Sequence, residues 1–287
     1  MTNGFRKTYE MHPNPPAAMG WDDYKLKVVG EWKALLDSQE GRNERNIHHF
    51  LDMHPSLVPG AGRNAFFVAM ISEPPLAGIG QKKPDFLWLA GDSLNFTPVF
   101  IEIESPRKQW FTQAGQPHHN LTQAMNQLGE WRAWLNRAEN QLVFFDQFHI
   151  PDRMRRHQHF RPKFILIYGR RQELDGRPEL NRLRAQFERE DQTVMTFDRL
   201  EPSHEQNLYI SATKTQTGYR ALAVPAIFKL SPMIAKDLPL VQDIADAIRR
   251  NNWMSRERQE FLIERVTYWE EWERGGEGGI MNGADWE

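Results

Sequence analysis

KKPDFLWLAGDSLNFTPVFIEIESP, residues 82–106, sets two apolar runs on either side of a short polar turn and places acids within them. Asp85 stands at the mouth of the first run, and Glu102 and Glu104 lie two apart in the second. PDFLWLA and TPVFIEIES are short, aromatic and β-branched, and separated by the turn GDSLN, which predicts an antiparallel hairpin. Side chains alternate along a strand, so Val99, Ile101 and Ile103 share one face while Phe100, Glu102 and Glu104 share the other. Asp85 can then lie beside both glutamates across the ladder. Burying a carboxylate costs on the order of several kcal/mol unless something pairs or coordinates it. One metal ion or two would answer that charge; a solvent-facing strand surface is the alternative.

Outward from the hairpin, the pattern alternates helix and strand. Residues 21–39 carry Tyr24, Val28, Trp32, Leu35 and Leu36 at helical spacing. NERNIHHFLDMH, closed by Pro55, predicts a second helix on Ile47, Phe50 and Leu51. Glu44 lies three before Ile47 and is expected to point to the buried side. RNAFFVAMIS (63–72) reads as a strand. HHNLTQAMNQLGEWRAWL reads as an amphipathic helix with Gln127 at the edge of its stripe, and FILIYG (164–169) as a buried, parallel strand. RPELNRLRAQFERE is a helix and TVMTFDRL (193–200) a closing strand, with Asp198 expected as a helix N-cap or turn residue. The order gives an α/β fold: a central mixed sheet flanked by helices. Residues 1–39 form an arm and helix, 40–200 the core, and 201–287 a β/helical extension ending in a Gly-rich acidic tail. Trp269 and Trp272 in RVTYWEEWERG suit either a contact between subunits or packing back on the same chain.

With 287 residues, 40% hydrophobic and ten Trp, the chain can bury a large core, which excludes disorder for most of it. No Cys is present, so disulfides, thiolate zinc sites and cysteine nucleophiles are excluded. A reducing setting fits, the N-terminus lacks the apolar run of a signal peptide, and no stretch approaches a membrane span. The expectation is a soluble, cytoplasmic protein without membrane partners. A net charge of −2 gives no global pull toward nucleic acid, but residues 152–171 hold seven Lys/Arg against one acid. Arg155, Arg156, Arg170 and Arg171 are its candidate phosphate contacts; a solvated surface is the alternative. The His pairs lack HExxH spacing, so zinc is not expected. No P-loop, dinucleotide-binding fingerprint or serine-hydrolase elbow occurs.

Pro84-Asp85 followed 17 positions later by Glu102-Ile103-Glu104 resembles the hairpin of PD-(D/E)xK nucleases, in which a Pro-Asp opens one strand and an acid-x-Lys lies on the next. Three further segments make the resemblance specific to Shedu-type nucleases: NERNIHHFLDMHP, QAMNQLGEW, and FILIYGRR followed by TFDRL. They cover roughly residues 40–200 in order. The resemblance implies a restriction-endonuclease-like core and a Mg²⁺- or Mn²⁺-dependent DNA endonuclease of bacterial anti-phage defence, usually a homo-oligomer. Carried over by position, it makes Asp85 and Glu102 metal ligands, Glu44 an outer carboxylate, and Gln127 the group that positions a water or phosphate.

Glu104 departs from the pattern, which expects Lys. A glutamate there can serve as general base or as a further metal ligand, and Lys108 can reach back toward the site. The rival readings are a nuclease fold that binds DNA without cutting it and an assembly module.

Overall fold

The computed structural model describes residues 9–60, 65–77, 83–206, 209–275 and 287. Parts of the predicted arm, of the strand over 63–72 and of the β element from 207, together with Lys82 and the tail over 276–286, lie outside the described residues.

The first helix, α1 (Trp21–Asp37), buries Tyr24, Val28, Trp32 and Leu36 at the predicted four-residue spacing. In α2 (Glu44–Met53), Asn43 caps the start by accepting the Arg45 N–H, and Ile47 and Leu51 are buried. Strands β1 (Ala69–Ser72), β2 (Phe86–Gly91) and β3 (Asn95–Ile103) follow. Next come α3 (His119–Leu135), α4 (Ala138–Gln147), α5 (Asp152–His157), β4 (His159–Phe160) and β5 (Lys163–Ile167). Then come α6 (Pro178–Ala185), β6 (Gln192–Met195), β7 (Ile210–Lys214) and β8 (Tyr219–Ala223). The chain continues through α7 (Pro232–Ala235), β9 (Val241–Gln242), α8 (Ile244–Arg249) and α9 (Arg256–Arg274).

The strands form one mixed sheet of nine among the described residues, in the order β6-β5-β3-β2-β1-β7-β8-β9, with β4 also on β3. The predicted hairpin is β2–β3, antiparallel, with Phe86 opposite Ile101 and Trp88 opposite Val99. On its other side β3 runs parallel to β5, and β5 parallel to β6. Pro98 sits inside β3 although proline cannot donate to a ladder. It falls between Phe96, the last partner of β4, and Val99, the first partner of β5.

The alternation read from the sequence separates two cores. Val99, Ile101 and Ile103 pack with Tyr24, Trp32, Ile47 and Leu51 of α1 and α2. Phe100 packs with Leu121, Leu128 and Trp131 of α3 on the opposite face. Between these helical layers, the end of β3 is covered from both sides.

The extension beyond residue 200 continues the same sheet, because β7 pairs in parallel with β1. Trp269 and Trp272 are buried within the chain, their ring centroids 5.5 and 5.9 Å from that of Tyr9. Those two rings therefore pack back on the chain itself rather than standing open to a second subunit.

Candidate active site

Ligand sites of open α/β sheets gather where parallel strands end at their carboxyl termini, and the acids lie at that end of β3. Continuing the β2–β3 register by one residue brings Asp85 opposite Glu102. Asp85 is fixed twice: its Oδ2 accepts the Ile103 N–H at 2.8 Å, and its carbonyl accepts the Glu73 N–H at 2.7 Å. Glu102, 8% exposed, turns toward α3, where Gln127 Nε2 donates to its Oε1 at 2.8 Å. Its Oε2 is buried without a hydrogen-bond partner.

Asp85 and Glu102 stand side by side, close enough for the charge of the first to oppose ionisation of the second. Burial pushes Asp85 up to about 7, against the opposing pull of the Ile103 N–H and of His48. Burial, then the charges of Asp85 and Glu104, lift Glu102 well above the usual carboxylate range. Like charges in a low-dielectric pocket produce this pattern.

Glu104 lies one residue beyond β3, where its N–H donates to the Ile167 carbonyl at 3.0 Å. Its side chain forms an ion pair with Lys108 Nζ. An ammonium thus stands against position 104, where the resemblance expects a lysine side chain. The loop carrying it is fastened: Glu173 accepts the Trp110 and Phe111 N–H groups at 2.9 and 3.0 Å. Gly169, at φ +56°, lets the β5 exit approach so closely that a Cβ there would stand 2.6 Å from Trp110 Nε1 and 2.9 Å from the Lys108 carbonyl.

Glu44 corrects an expectation. It is exposed rather than turned into the core, because it opens α2 and helical side chains tilt toward the N-terminus, which carries it off the packed face to the rim. There its carboxyl end is partly covered, and that cover together with the Glu104 charge raises its pKa, while Lys108, His48 and the Ser105 N–H oppose the rise.

Sequence reasoning missed His48 and Asp52, one and two turns further along α2. The His48 ring stacks on Phe86 with centroids 4.5 Å apart and planes at 22°. Its Nδ1 lies 3.2 Å from Asp52 Oδ2, and Asp52 Oδ1 accepts the buried Ser211 hydroxyl at 3.1 Å. Its Nε2 faces Asp85 Oδ1 at 3.8 Å and is buried without a hydrogen-bond partner. Burial acts to lower the His48 pKa, but the Asp52 hydrogen bond and the charges of Asp52, Asp85 and Glu73 together raise it. The signal was in the sequence: Glu44, His48 and Asp52 recur every four residues, on one face of a helix.

The basic stretch 152–171 does not form one groove. Arg155 and Arg156 lie on α5, which leads into β4 beside Asn95, the first residue of β3. The acids lie at the far end of that strand, roughly 30 Å away for nine residues. Arg155 is held by the carbonyls of Ile150 at 2.5 Å and Phe145 at 2.9 Å and by Asp146; Arg156 is exposed and meets Asp152 at 3.4 Å. Arg170 and Arg171, just past β5, lie at the acid end. Arg170 spans Asp198 at 2.8 Å, the Leu36 carbonyl at 3.0 Å and Asp37 at 3.2 Å, tying α1 to the sheet. Asp198 is a turn residue, within the single 3-10 turn Phe197–Arg199, and its second oxygen accepts the Arg171 N–H at 2.6 Å, while the Arg171 side chain is exposed.

Among the described residues, no three His, Asp or Glu side chains close around one point at metal-ligand spacing. Asp85 stands beside Glu102, and Lys108 pairs with Glu104. The donor set nonetheless suits a hard ion, with the unpartnered Glu102 Oε2 beside Asp85 and Glu104 near both. No helix among the described residues is long and apolar enough to cross a membrane.

A search of curated proteins returns no match to the chain. The family model for the Shedu protein SduA, C-terminal, matches residues 41–200, more than half of the chain and the whole stretch from α2 to β6 that builds the site. The chain belongs to the Shedu SduA C-terminal family, and with it to a group of proteins of anti-phage defence.

Proposed function

We propose that this chain is a divalent-metal-dependent DNA endonuclease that carries out the defence its family implies. The observation that carries the reading is Glu102: a carboxyl 8% exposed, with one oxygen positioned by Gln127 and the other without a partner, among Asp85, Glu104 and Glu44. A fold tolerates such a concentration of like charge when a cation is to arrive. Mg²⁺ or Mn²⁺ suits these oxygens, and either ion, when bound, lowers the pKa of a water and stabilises charge on a phosphate in transfer.

The chain's own groups divide the remaining work. The Ile103 N–H orients Asp85, and Gln127 holds Glu102 so that Oε2 faces the site. Glu104 takes the proton of the attacking water, with Lys108 offsetting the charge of the cluster. Arg171, exposed at the acid end, binds the DNA backbone near the scissile bond; Arg156, exposed at the opposite end, offers a more distant contact. Arg155 and Arg170, each held by several protein groups, support those surfaces. A homo-oligomer acting in the cytoplasm is part of the same proposal.

The test is a plasmid-nicking assay with and without chelator, paired with a DNA-binding measurement. Asp85→Ala and Glu102→Ala should abolish chelator-sensitive cleavage and leave binding in place. Wild-type cutting by both variants would overturn the site. Binding without chelator-sensitive cleavage of supercoiled, linear or single-stranded DNA by the wild type would make the chain a non-cutting DNA-binding protein.

A further inference from the structure

The acids of the proposed metal set lie in or next to the β2–β3 hairpin, yet the group facing Asp85 from α2 is an imidazole. We propose that His48 is a nitrogen ligand of the ion held by Asp85, with Glu102 closing on that ion as it binds, and that it tilts this site toward Mn²⁺ over Mg²⁺. The proposal rests on the metal-dependent reading above and deepens it by naming a ligand and a metal preference.

Four observations converge. First, His48 Nε2 is buried with no hydrogen-bond partner, so the one ring atom facing the acids has nothing to bind within the protein. Second, Nε2 stands 3.8 Å from Asp85 Oδ1, too far for a hydrogen bond. Two donors on one ion, each at about 2.0–2.2 Å, stand roughly 3 to 4 Å apart. Third, Asp52 Oδ2 lies 3.2 Å from Nδ1 and is itself steadied by Ser211. A carboxylate on the far ring nitrogen is the usual support of a metal-binding histidine: it holds the proton on Nδ1 and turns the Nε2 lone pair outward. Fourth, the ring stacks on Phe86, the first residue of β2 and the one that follows Asp85, so both donors are set by adjacent positions of the chain.

The consequence for metal choice follows from ligand chemistry. Mg²⁺ keeps to oxygen donors in near-ideal octahedra and gives up its waters reluctantly. Imidazole favours transition ions, and affinity for mixed nitrogen and oxygen sites rises from Mn²⁺ along the first row. His48 thus gives the site a preference that carboxylates alone would not.

Electron spin-echo spectroscopy of Mn²⁺ bound to the full chain reads the ligand directly, since a coordinated imidazole imprints ¹⁴N modulation on the ion. Calorimetric titration with Mn²⁺ and Mg²⁺ reads the preference. The wild type should show ¹⁴N modulation; His48→Ala and His48→Gln should lose it, and the ratio of Mn²⁺ to Mg²⁺ affinity should fall at least about tenfold, within the 10–100-fold range by which even outer-shell partners alter metal sites. Asp52→Asn, a change in a positioning residue, should keep the modulation and weaken Mn²⁺ binding. Mn²⁺ bound in an Asp85-dependent way without ¹⁴N modulation in the wild type would overturn the ligand and leave the nuclease reading intact, whether or not the variants fold. No Asp85-dependent binding of either ion would overturn both.

Discussion

Glu102 and Glu287 are both buried glutamates, and their surroundings are opposite. Glu287 meets Arg258, 1% exposed, through two parallel contacts: Nη1 donates to Oε2 at 2.8 Å and Nη2 donates to Oε1. The Leu230 N–H adds a third donor at 3.1 Å, and the remaining capacity of those arginine nitrogens goes to the carbonyls of Pro16 and Phe228 at 2.9 Å each. Charge is matched to charge. Glu102 has one amide, and its near neighbours are acids. A carboxylate buried to hold the fold together is answered inside the fold. On the function proposed above, Glu102 is left short because an ion comes to fill the shortage.

The contrast can be broken most forcefully at Arg258. Replacing it by Ala leaves Glu287 buried without a counter-charge, and a loss of about 3–5 kcal/mol is expected, read from the urea midpoint. A loss below about 1 kcal/mol would mean that the pair is not what secures this corner, since ordinary surface substitutions stay near ±0.5 kcal/mol. Removing Asp85 by Ala should act in the other sense: cleavage should fall by more than about 100-fold, beyond what outer-shell losses usually cost, with the chelator-treated fold intact by circular dichroism.

Glu102→Gln sharpens the same contrast. Assayed in chelator, it should hold or raise the melting temperature by a few degrees, since it relieves like-charge repulsion worth on the order of 1 kcal/mol; a clear drop would mark Glu102 as structural, like Glu287. The pH dependence carries the same sign. Raised acid pKa values mean that the folded protein keeps protons the unfolded chain has released. Stability in chelator should therefore fall as pH rises from about 4, the unfolded value, to about 7, the folded value for Asp85. Asp237, also buried and pushed to about 7, adds a parallel trend, so Asp85→Asn should flatten the profile only in part. A profile rising through that window would refute the raised pKa of Asp85. The smallest effect concerns the two ends of the basic stretch. Arg171→Gln should flatten the slope of log K against log salt by about one unit, and Arg156→Gln by less; equal slopes would restore the single groove.

The hairpin, its faces, the parallel β5 and the Gln127 helix were legible because each is local: alternation, turn residues and helical spacing repeat within a dozen positions. Pairings between distant segments were not. Nothing in the periodicity of residues 210–214 announces a parallel partner at 69–72, because a ladder is made by backbone groups that every residue carries. The charge count over 152–171 misled for a related reason. It ignored that β5 carries the chain along the sheet, so Arg156 and Arg171 reach opposite ends. Glu44 was placed by its stripe alone, without the tilt of a first helical turn. His48 and Asp52 were readable on the same helix but passed over, since a histidine between apolar positions resembles an ordinary core residue.

The fastened loop after β3 bears on how such sites are recognised. Lys108 hangs from a backbone that Glu173 grips and that the exit at Gly169 closely abuts, so its charge has an address in space that does not depend on its place in a motif. A search for an acid, one spacer and a lysine finds nothing at Glu102-Ile103-Glu104, although an ammonium stands against Glu104 all the same. What such a motif preserves is a location, and a chain can reach one location from more than one point along its length.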